Sequence, residues 1–203
     1  VEVNRLMESV LEQPIVYRLW QAWHADQKFA PVLRHNDLSR VRRVLDVGCG
    51  PGMNTAHFPQ MDYLGIDINP KYIESAQRRF DRKFLVADAT AYAAPPTERF
   101  DFILVNSFLH HIDLPETRRV LSNLATLLTE DGHLHSIEVV MPDEPGLARA
   151  LARWDRGRFA RPFAEWGKIF SEFLEPVVLE LFTVKGLGFT CWEMVYFKGK
   201  AKP

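Results

Sequence analysis

The apolar positions along this chain change period repeatedly, and each change marks off a short element. Between residues 2 and 23, Leu6, Met7, Val10, Leu11, Val16, Leu19, Trp20 and Trp23 fall at helical spacing, with Pro14 separating the two groups. Proline removes a backbone donor and clashes with the preceding turn, so the pattern predicts two helices broken near Pro14. Residues 36–43 are polar. From there, compact β-forming runs at 43–47, 63–67, 84–87, 100–105 and 133–140 alternate with amphipathic stretches. A short helix is expected at 54–58, stopped by Pro59. Another is expected at 70–80, where Asn69 caps and Pro70 takes the first helical position. Asp113-Leu114-Pro115-Glu116 has the form of a capping box and opens a helix with Val120, Leu121, Leu124, Leu127 and Leu128 on one stripe; Asp131-Gly132 is expected to turn it into the fifth strand.

After Met141 the alternation stops. Helices are expected at 146–161 and 163–174, followed by strands at 177–184 and 191–197 joined through Gly186-Leu187-Gly188. A tight glycine connection between two β-runs makes an antiparallel pair, whereas the alternation before it makes a parallel sheet with helices on both faces. The expected architecture is therefore α/β: a three-layer sandwich around a seven-stranded, mostly parallel sheet whose last strand is antiparallel. Residues 1–203 are expected to form one domain, with N-terminal helices at 1–38 and a helical lid at about 142–175.

Composition narrows the classes. In 203 residues, 47% are apolar and 25% charged, enough for one substantial core, and the formal net charge of -1 gives no electrostatic reason to expect nucleic acid. Cys49 and Cys191 are far apart and match no metal-ligand spacing, so neither a disulfide framework nor a metal site is expected. Glu2, Arg5, Glu8 and Glu12 are incompatible with a signal-peptide core, and no run approaches the roughly 18 apolar residues of a membrane span. A cytoplasmic location is the expectation.

The densest chemistry lies in Val44-Leu45-Asp46-Val47-Gly48-Cys49-Gly50-Pro51-Gly52. A strand that ends abruptly in alternate glycines lets its backbone approach a ligand. Asp46, Asp67 and Asp88 end the first three strands at two equal intervals of 21 residues, which brings them to one crevice at the carboxyl ends of neighbouring parallel strands. An acid ending the second strand can accept both hydroxyls of a ribose. The third position counted from Gly48 in a dinucleotide fingerprint is Met53, with Gly52 one residue early, and no Gly-Lys-Ser/Thr follows. Helix capping and solvated loop positions are the alternative reading of the three acids.

Across roughly residues 40–140 the ordered set resembles the class I S-adenosylmethionine-dependent methyltransferases, of the broad small-molecule kind, and the resemblance implies a Rossmann-like fold. It also implies a cofactor, S-adenosyl-L-methionine, and a set of contacts. Gly48, Cys49 and Gly50 would pass their backbone along the methionyl part, with Asp46 reaching its ammonium directly or through water. Asp67 would take the ribose hydroxyls and Ile68 would cover an adenine face. Asp88 would accept from the adenine amino group, with the Ala89 N–H opposite a ring nitrogen, and Asn106 would sit beside the methionyl group.

The expected acceptor is a small organic molecule. Methyl transfer from a sulfonium is an in-line displacement, so alignment matters more than a nucleophilic side chain, although a hydroxyl or acidic carbon is helped by a base. His110-His111 lies where relatives present residues to the acceptor, and His110 is the candidate base; core packing and backbone hydrogen bonding are the alternatives. Asn106 is followed by Ser-Phe-Leu, unlike motifs that grip planar amide or base nitrogens, and no Asp-Asn metal pair follows strand five, Glu138 being the only acid within it. Arg149, Arg153, Arg156, Arg158 and Arg161 are either a solvated face or a grip on an anionic or lipid-headgroup acceptor. Trp154, Phe159, Phe163 and Trp166 are read as core or as an apolar lid. Tyr17 and Trp20 either pack their helix or line a substrate entrance. A macromolecular methyltransferase and a non-catalytic binder of the cofactor are the competing classes.

Overall fold

The computed structural model describes residues 14–155, 157–186 and 188–202, with the side chains of residues 14–24 and 96 outside the description. Helix α1, Pro14–His35, continues past Pro31, and the helix expected before Pro14 lies outside the described residues. Tyr17 and Trp20 fall on it, but their side chains lie outside the described residues.

The strands are β1 (Arg43–Val47), β2 (Asp62–Asp67), β3 (Lys83–Val86), β4 (Phe100–Asn106), β5 (Leu128–Val139), β6 (Leu174–Gly186) and β7 (Phe189–Ala201). They form one sheet in the order β3-β2-β1-β4-β5-β7-β6. β1 to β5 pair in parallel, and β7 lies antiparallel between β5 and β6. The expected Rossmann-like, seven-stranded sheet is therefore present. Between the strands lie α2 (Pro70–Arg79), α3 (Leu114–Thr126), α4 (Leu147–Trp154) and α5 (Phe163–Phe173).

Alternation along the strands splits the core in two. Val44, Phe102, Leu104 and Tyr196 face α1, α2 and α4 through Phe29, Val32, Ile73, Ala76 and Ala152. Leu45, Ile103, Val105 and Phe197 face α3 and α5 through Val120, Leu121, Leu124, Trp166 and Phe170. The period of two that directs successive strand side chains to opposite faces thus makes the three layers.

Both capping expectations hold: the Asn69 side chain accepts from the Lys71 N–H, and Asp113 accepts from the Glu116 N–H. Four elements differ in form. The helix expected at 54–58 is a 3-10 turn, Met53–His57, entered through Gly52 at φ 81°. Asp131-Gly132 is not a turn, because β5 already begins at Leu128 and absorbs the glycine where its register with β4 shifts between Phe100 and Phe102. The helix expected at 146–161 stops at Trp154. β6 and β7 extend each other well beyond their apolar centres, each running for 13 residues.

Candidate active site

The carboxyl ends of β1, β2, β3 and β4 surround a cavity of about 290 Å³. Gly48, Asp67, Ile68, Asp88 and Ala89 line it, so five of the nine residues expected to hold the cofactor meet on one wall. Gly48, Gly50 and Gly52 have φ of 66°, 53° and 81°, a left-handed region that side chains with a Cβ rarely adopt. The Gly48 and Cys49 N–H groups both donate to the Ile66 carbonyl, at 2.9 and 3.0 Å, and pin the loop across the end of β2.

Asp67 is the organiser of this wall. One oxygen accepts the Gly50 N–H at 3.0 Å and the other accepts the Asn69 N–H at 2.8 Å, so the carboxylate joins the glycine loop to the start of α2 while keeping lone pairs for a ligand. Asp88 is held by Thr90, whose backbone N–H and hydroxyl both donate to its Oδ1 at 2.8 Å. Those bonds lower its pKa, the backbone one most. Ile68 is 68% exposed beside both acids, an apolar plate that its strand-end position does not bury.

The other four cofactor candidates do not line the cavity. Asp46 shares the face of Val44, fully buried, with its carboxylate receiving the Tyr63 hydroxyl at 2.6 Å and the Asn54 amide at 3.1 Å. Burial, opposed by those two bonds, raises its pKa to about 7. Asn54 in turn accepts from Asn106 at 3.0 Å, so Asp46 and Asn106 are tied through one amide behind the glycine loop. The Cys49 thiol is buried and turned towards Gly65. The Gly50 N–H is committed to Asp67.

Sequence reasoning missed the opposite wall. Phe108, Ile112, Glu116, Arg119 and Val120 complete the cavity. A Cβ on Gly48 would come within 2.8 Å of the Phe108 ring, so the missing side chain at Gly48 is what lets that ring seat. Ser107, just before it, is the only described non-glycine residue with positive φ, at 57°. A strained residue between β4 and Phe108 turns the chain sharply into the wall.

Glu138 holds that turn in place. Its carboxylate, buried at the end of β5, accepts the backbone N–H groups of Phe108, Leu109 and His110 at 3.2, 2.9 and 3.2 Å. It also contacts His110 Nδ1 at 2.6 Å. The other ring nitrogen, Nε2, faces Asp155 at 3.4 Å. Burial alone would lower the His110 pKa, but Asp155 and Glu138 together push it up to about 9. Asp155, despite burial, is held down at about 2 by His110.

The expected free base at His110 is therefore not the arrangement found: the ring is 2% exposed and clamped as an imidazolium between two carboxylates. The physical reason is the glycine at 157, which lets the segment after α4 close over the ring; a Cβ there would lie 1.9 Å from His110 Cδ2. His111 is exposed, its ring 4.3 Å from that of His110. His110, His111 and Asp155 offer donor atoms within 4.8 Å of one another, but both His110 nitrogens already face carboxylates, which makes the group an ion-pair chain.

The arginine cluster divides. Arg161 is a clip, donating to the Leu109 and Ile112 carbonyls and the Thr117 hydroxyl while its guanidinium lies 4.8 Å from the Trp166 ring. Arg149 donates to the Asp143 carbonyl, and Arg153 is exposed, away from the cavity lining. Trp166 is core, with its indole N–H donated to the Val139 carbonyl at 3.0 Å.

This fold is an α/β domain whose candidate ligand site, lined by Gly48, Asp67 and Asp88, lies at the carboxyl ends of its parallel strands. Residues 44–132 match a family model described as a methyltransferase domain. A trans-aconitate 2-methyltransferase of Methylobacterium radiotolerans is 37% identical over 133 residues, covering 61% of this chain and 48% of that protein. An uncharacterized methyltransferase of Mycobacterium bovis is 34% identical over 127 residues, covering 60% of this chain and 63% of that protein. The chain thus spans about half to under two thirds of the length of these curated relatives. A SAM-dependent methyltransferase structure from Methanosarcina mazei superposes with a TM-score of 0.69 at 18% identity, covering 84% of this chain and 98% of that one, which shows the shared fold. Over residues 44–132 the chain is thus similar to methyltransferase domains, and its fold is shared with a SAM-dependent methyltransferase.

Proposed function

We propose that the protein transfers the methyl group of S-adenosylmethionine to a small anionic acceptor, a carboxylate. The residues present fit the cofactor: the Asp67 carboxylate and the apolar face of Ile68 stand side by side over the cavity, beside a loop whose positive φ values exclude a Cβ. Asp67 would hold the ribose, Ile68 and Phe108 the adenine faces, and Asp88 with the Ala89 N–H the adenine edge. When bound, the sulfonium supplies an electrophilic methyl group, and its sulfur keeps the C–S bonding pair as the acceptor oxygen bonds to carbon.

The observation that carries the acceptor class is the double clamp on His110. A hydroxyl or carbon acceptor must lose a proton, but both His110 nitrogens face carboxylates at 2.6 and 3.4 Å. A carboxylate is already ionised at neutral pH, so its methylation requires positioning and no base. The relative named for trans-aconitate supports the same class. His110 then acts through Glu138 and Asp155 on the wall around Phe108, leaving proton transfer out of its role. His111, Arg153, Tyr17 and Trp20 remain candidates for the acceptor's surroundings.

The test is mass spectrometry on incubations with S-adenosylmethionine and a panel of small mono-, di- and tricarboxylic acids beside phenols and amines. Methyl esters and S-adenosylhomocysteine are expected from the acids. Products confined to phenols or amines would overturn the acceptor class.

A further inference from the structure

Lys28 is a cation that neither the cofactor wall nor the ion-pair chain uses. It projects from α1, and its ammonium lies 5.9 Å from the centre of the Trp192 ring. Phe29, the next residue, stacks on His57 at 3.7 Å with the rings 5° from parallel. His57 ends the 3-10 turn that carries Asn54, so this part of α1 is fixed against the glycine loop. At its other side, Gln27 exchanges two hydrogen bonds with the Lys185 backbone at 3.0 and 2.9 Å. Lys28 is therefore held between two anchors.

The charged groups within electrostatic reach of its ammonium are Asp155, from the segment after α4, and Glu138, from β5. Neither reaches it with a hydrogen bond. Both Glu138 oxygens are filled by the N–H groups of Phe108, Leu109 and His110 and by the His110 ring. Asp155 Oδ1 accepts the Gly157 N–H at 2.8 Å and faces His110 Nε2. Among the described residues Lys28 makes no hydrogen bond and no ion pair. With His110 charged, the two carboxylates keep one net negative charge, which the ammonium offsets at a distance while its own N–H groups stay unspent.

A partly desolvated ammonium with unspent N–H groups is costly unless an anion completes it. Burial already holds its pKa below the ordinary lysine value, against the pull of Asp155 and Glu138. The Trp192 face gives one apolar side to the same place, which suits a small molecule with a charged end and an organic body.

We infer that Lys28 is the anchor for a carboxylate of the acceptor, seated between α1, the Trp192 ring and the segment after α4. This rests on the methyl-transfer reading above and adds to it the residue that selects acid over neutral acceptors. Lysine acts here as a point charge with rotatable donors, so it tolerates acids of different length better than a bidentate arginine would.

The experiment compares the full chain with Lys28→Gln and Lys28→Arg. Isothermal titration first measures S-adenosylhomocysteine binding to each. Succinate, trans-aconitate and their neutral amides are then titrated into the protein saturated with S-adenosylhomocysteine, and KM and kcat are measured for whichever acid is methylated. Expected are equal S-adenosylhomocysteine affinity in all three proteins, acid binding stronger than amide binding in the wild type, a loss of about tenfold or more in acid affinity in Lys28→Gln seen in KM more than kcat, and partial rescue in Lys28→Arg. Unchanged acid affinity in Lys28→Gln, or acids and amides bound alike by the wild type, would overturn the inference. Failure of the wild type to bind S-adenosylhomocysteine at all would instead overturn the methyl-transfer reading beneath it.

Discussion

Glu138 Oε2 lies 2.6 Å from His110 Nδ1, and the same carboxylate receives the N–H groups of Phe108, Leu109 and His110. One buried acid at the end of β5 thereby fixes the loop that forms half of the cavity wall. Removing it leaves a buried imidazolium facing only Asp155 and three backbone donors without a partner. Glu138→Ala is expected to cost about 3–5 kcal/mol of stability, the range for breaking a buried charge pair from one side. Urea denaturation measures this, and a loss below about 1 kcal/mol would show that the loop is held by something else.

The same pair sets a pH dependence. His110 has a folded pKa of about 9, above its unfolded value, so its contribution is complete below about 6.5 and is lost as pH rises through 9. Asp155, held at about 2, contributes fully above about 3.9 and loses its contribution only as pH falls through 2. Wild-type stability should therefore fall between pH 6.5 and 9.5, and His110→Gln should flatten that slope. Equal slopes in chemical denaturation of the two proteins would contradict the charged clamp.

Asp46 works with the opposite sign for an acid. Its folded pKa of about 7 lies above the unfolded value, so the carboxylate's burial costs stability increasingly as pH rises from about 4 to 7. Asp46→Asn keeps an acceptor for the Tyr63 hydroxyl without the charge. Relative to wild type it should gain stability from pH 5 to pH 8, by an amount on the order of a few kcal/mol. A difference that does not change with pH would mean Asp46 is ionised throughout.

Much of this was legible in the residues themselves. The alternation of strand and helix gave the parallel sheet, and the equal spacing of Asp46, Asp67 and Asp88 gave the crevice. Asp67 and Asp88 reach the cavity but Asp46 does not, because strand period turns the Asp46 side chain to the face it shares with Tyr63. Spacing alone does not say that a strand-end acid at one position faces inward. Glu138 stood out as the only acid in its strand, but its role depends on three N–H groups nearly thirty residues earlier, a contact no local pattern encodes. The wall formed by Phe108, Ile112, Glu116 and Arg119 was hidden for the same reason. Its first two members look like ordinary apolar positions, and only the bare Cα of Gly48 reveals why Phe108 sits there.

Gly48→Ala tests that close approach. The new methyl group would sit 2.8 Å from the Phe108 ring on a residue at φ 66°, so both sterics and backbone oppose it. A loss of about 1–3 kcal/mol in stability is expected, together with weaker binding of S-adenosylhomocysteine. Gly48→Ala combined with Phe108→Ala should recover part of the stability but not the binding. Full recovery of both would remove Phe108 from the cofactor wall.

The central claim is that Asp67 and the glycine loop hold S-adenosylmethionine, and isothermal titration of the wild type and Asp67→Ala with S-adenosylmethionine and S-adenosylhomocysteine tests it most directly. Loss of charge-assisted hydrogen bonds worth about 1.5–3 kcal/mol should weaken binding roughly ten- to hundredfold, while the variant remains folded by circular dichroism. One-to-one binding at about micromolar affinity in the wild type, reduced in Asp67→Ala, is the predicted result. No binding of either compound to the wild type, or equal affinity in both proteins, would contradict the account.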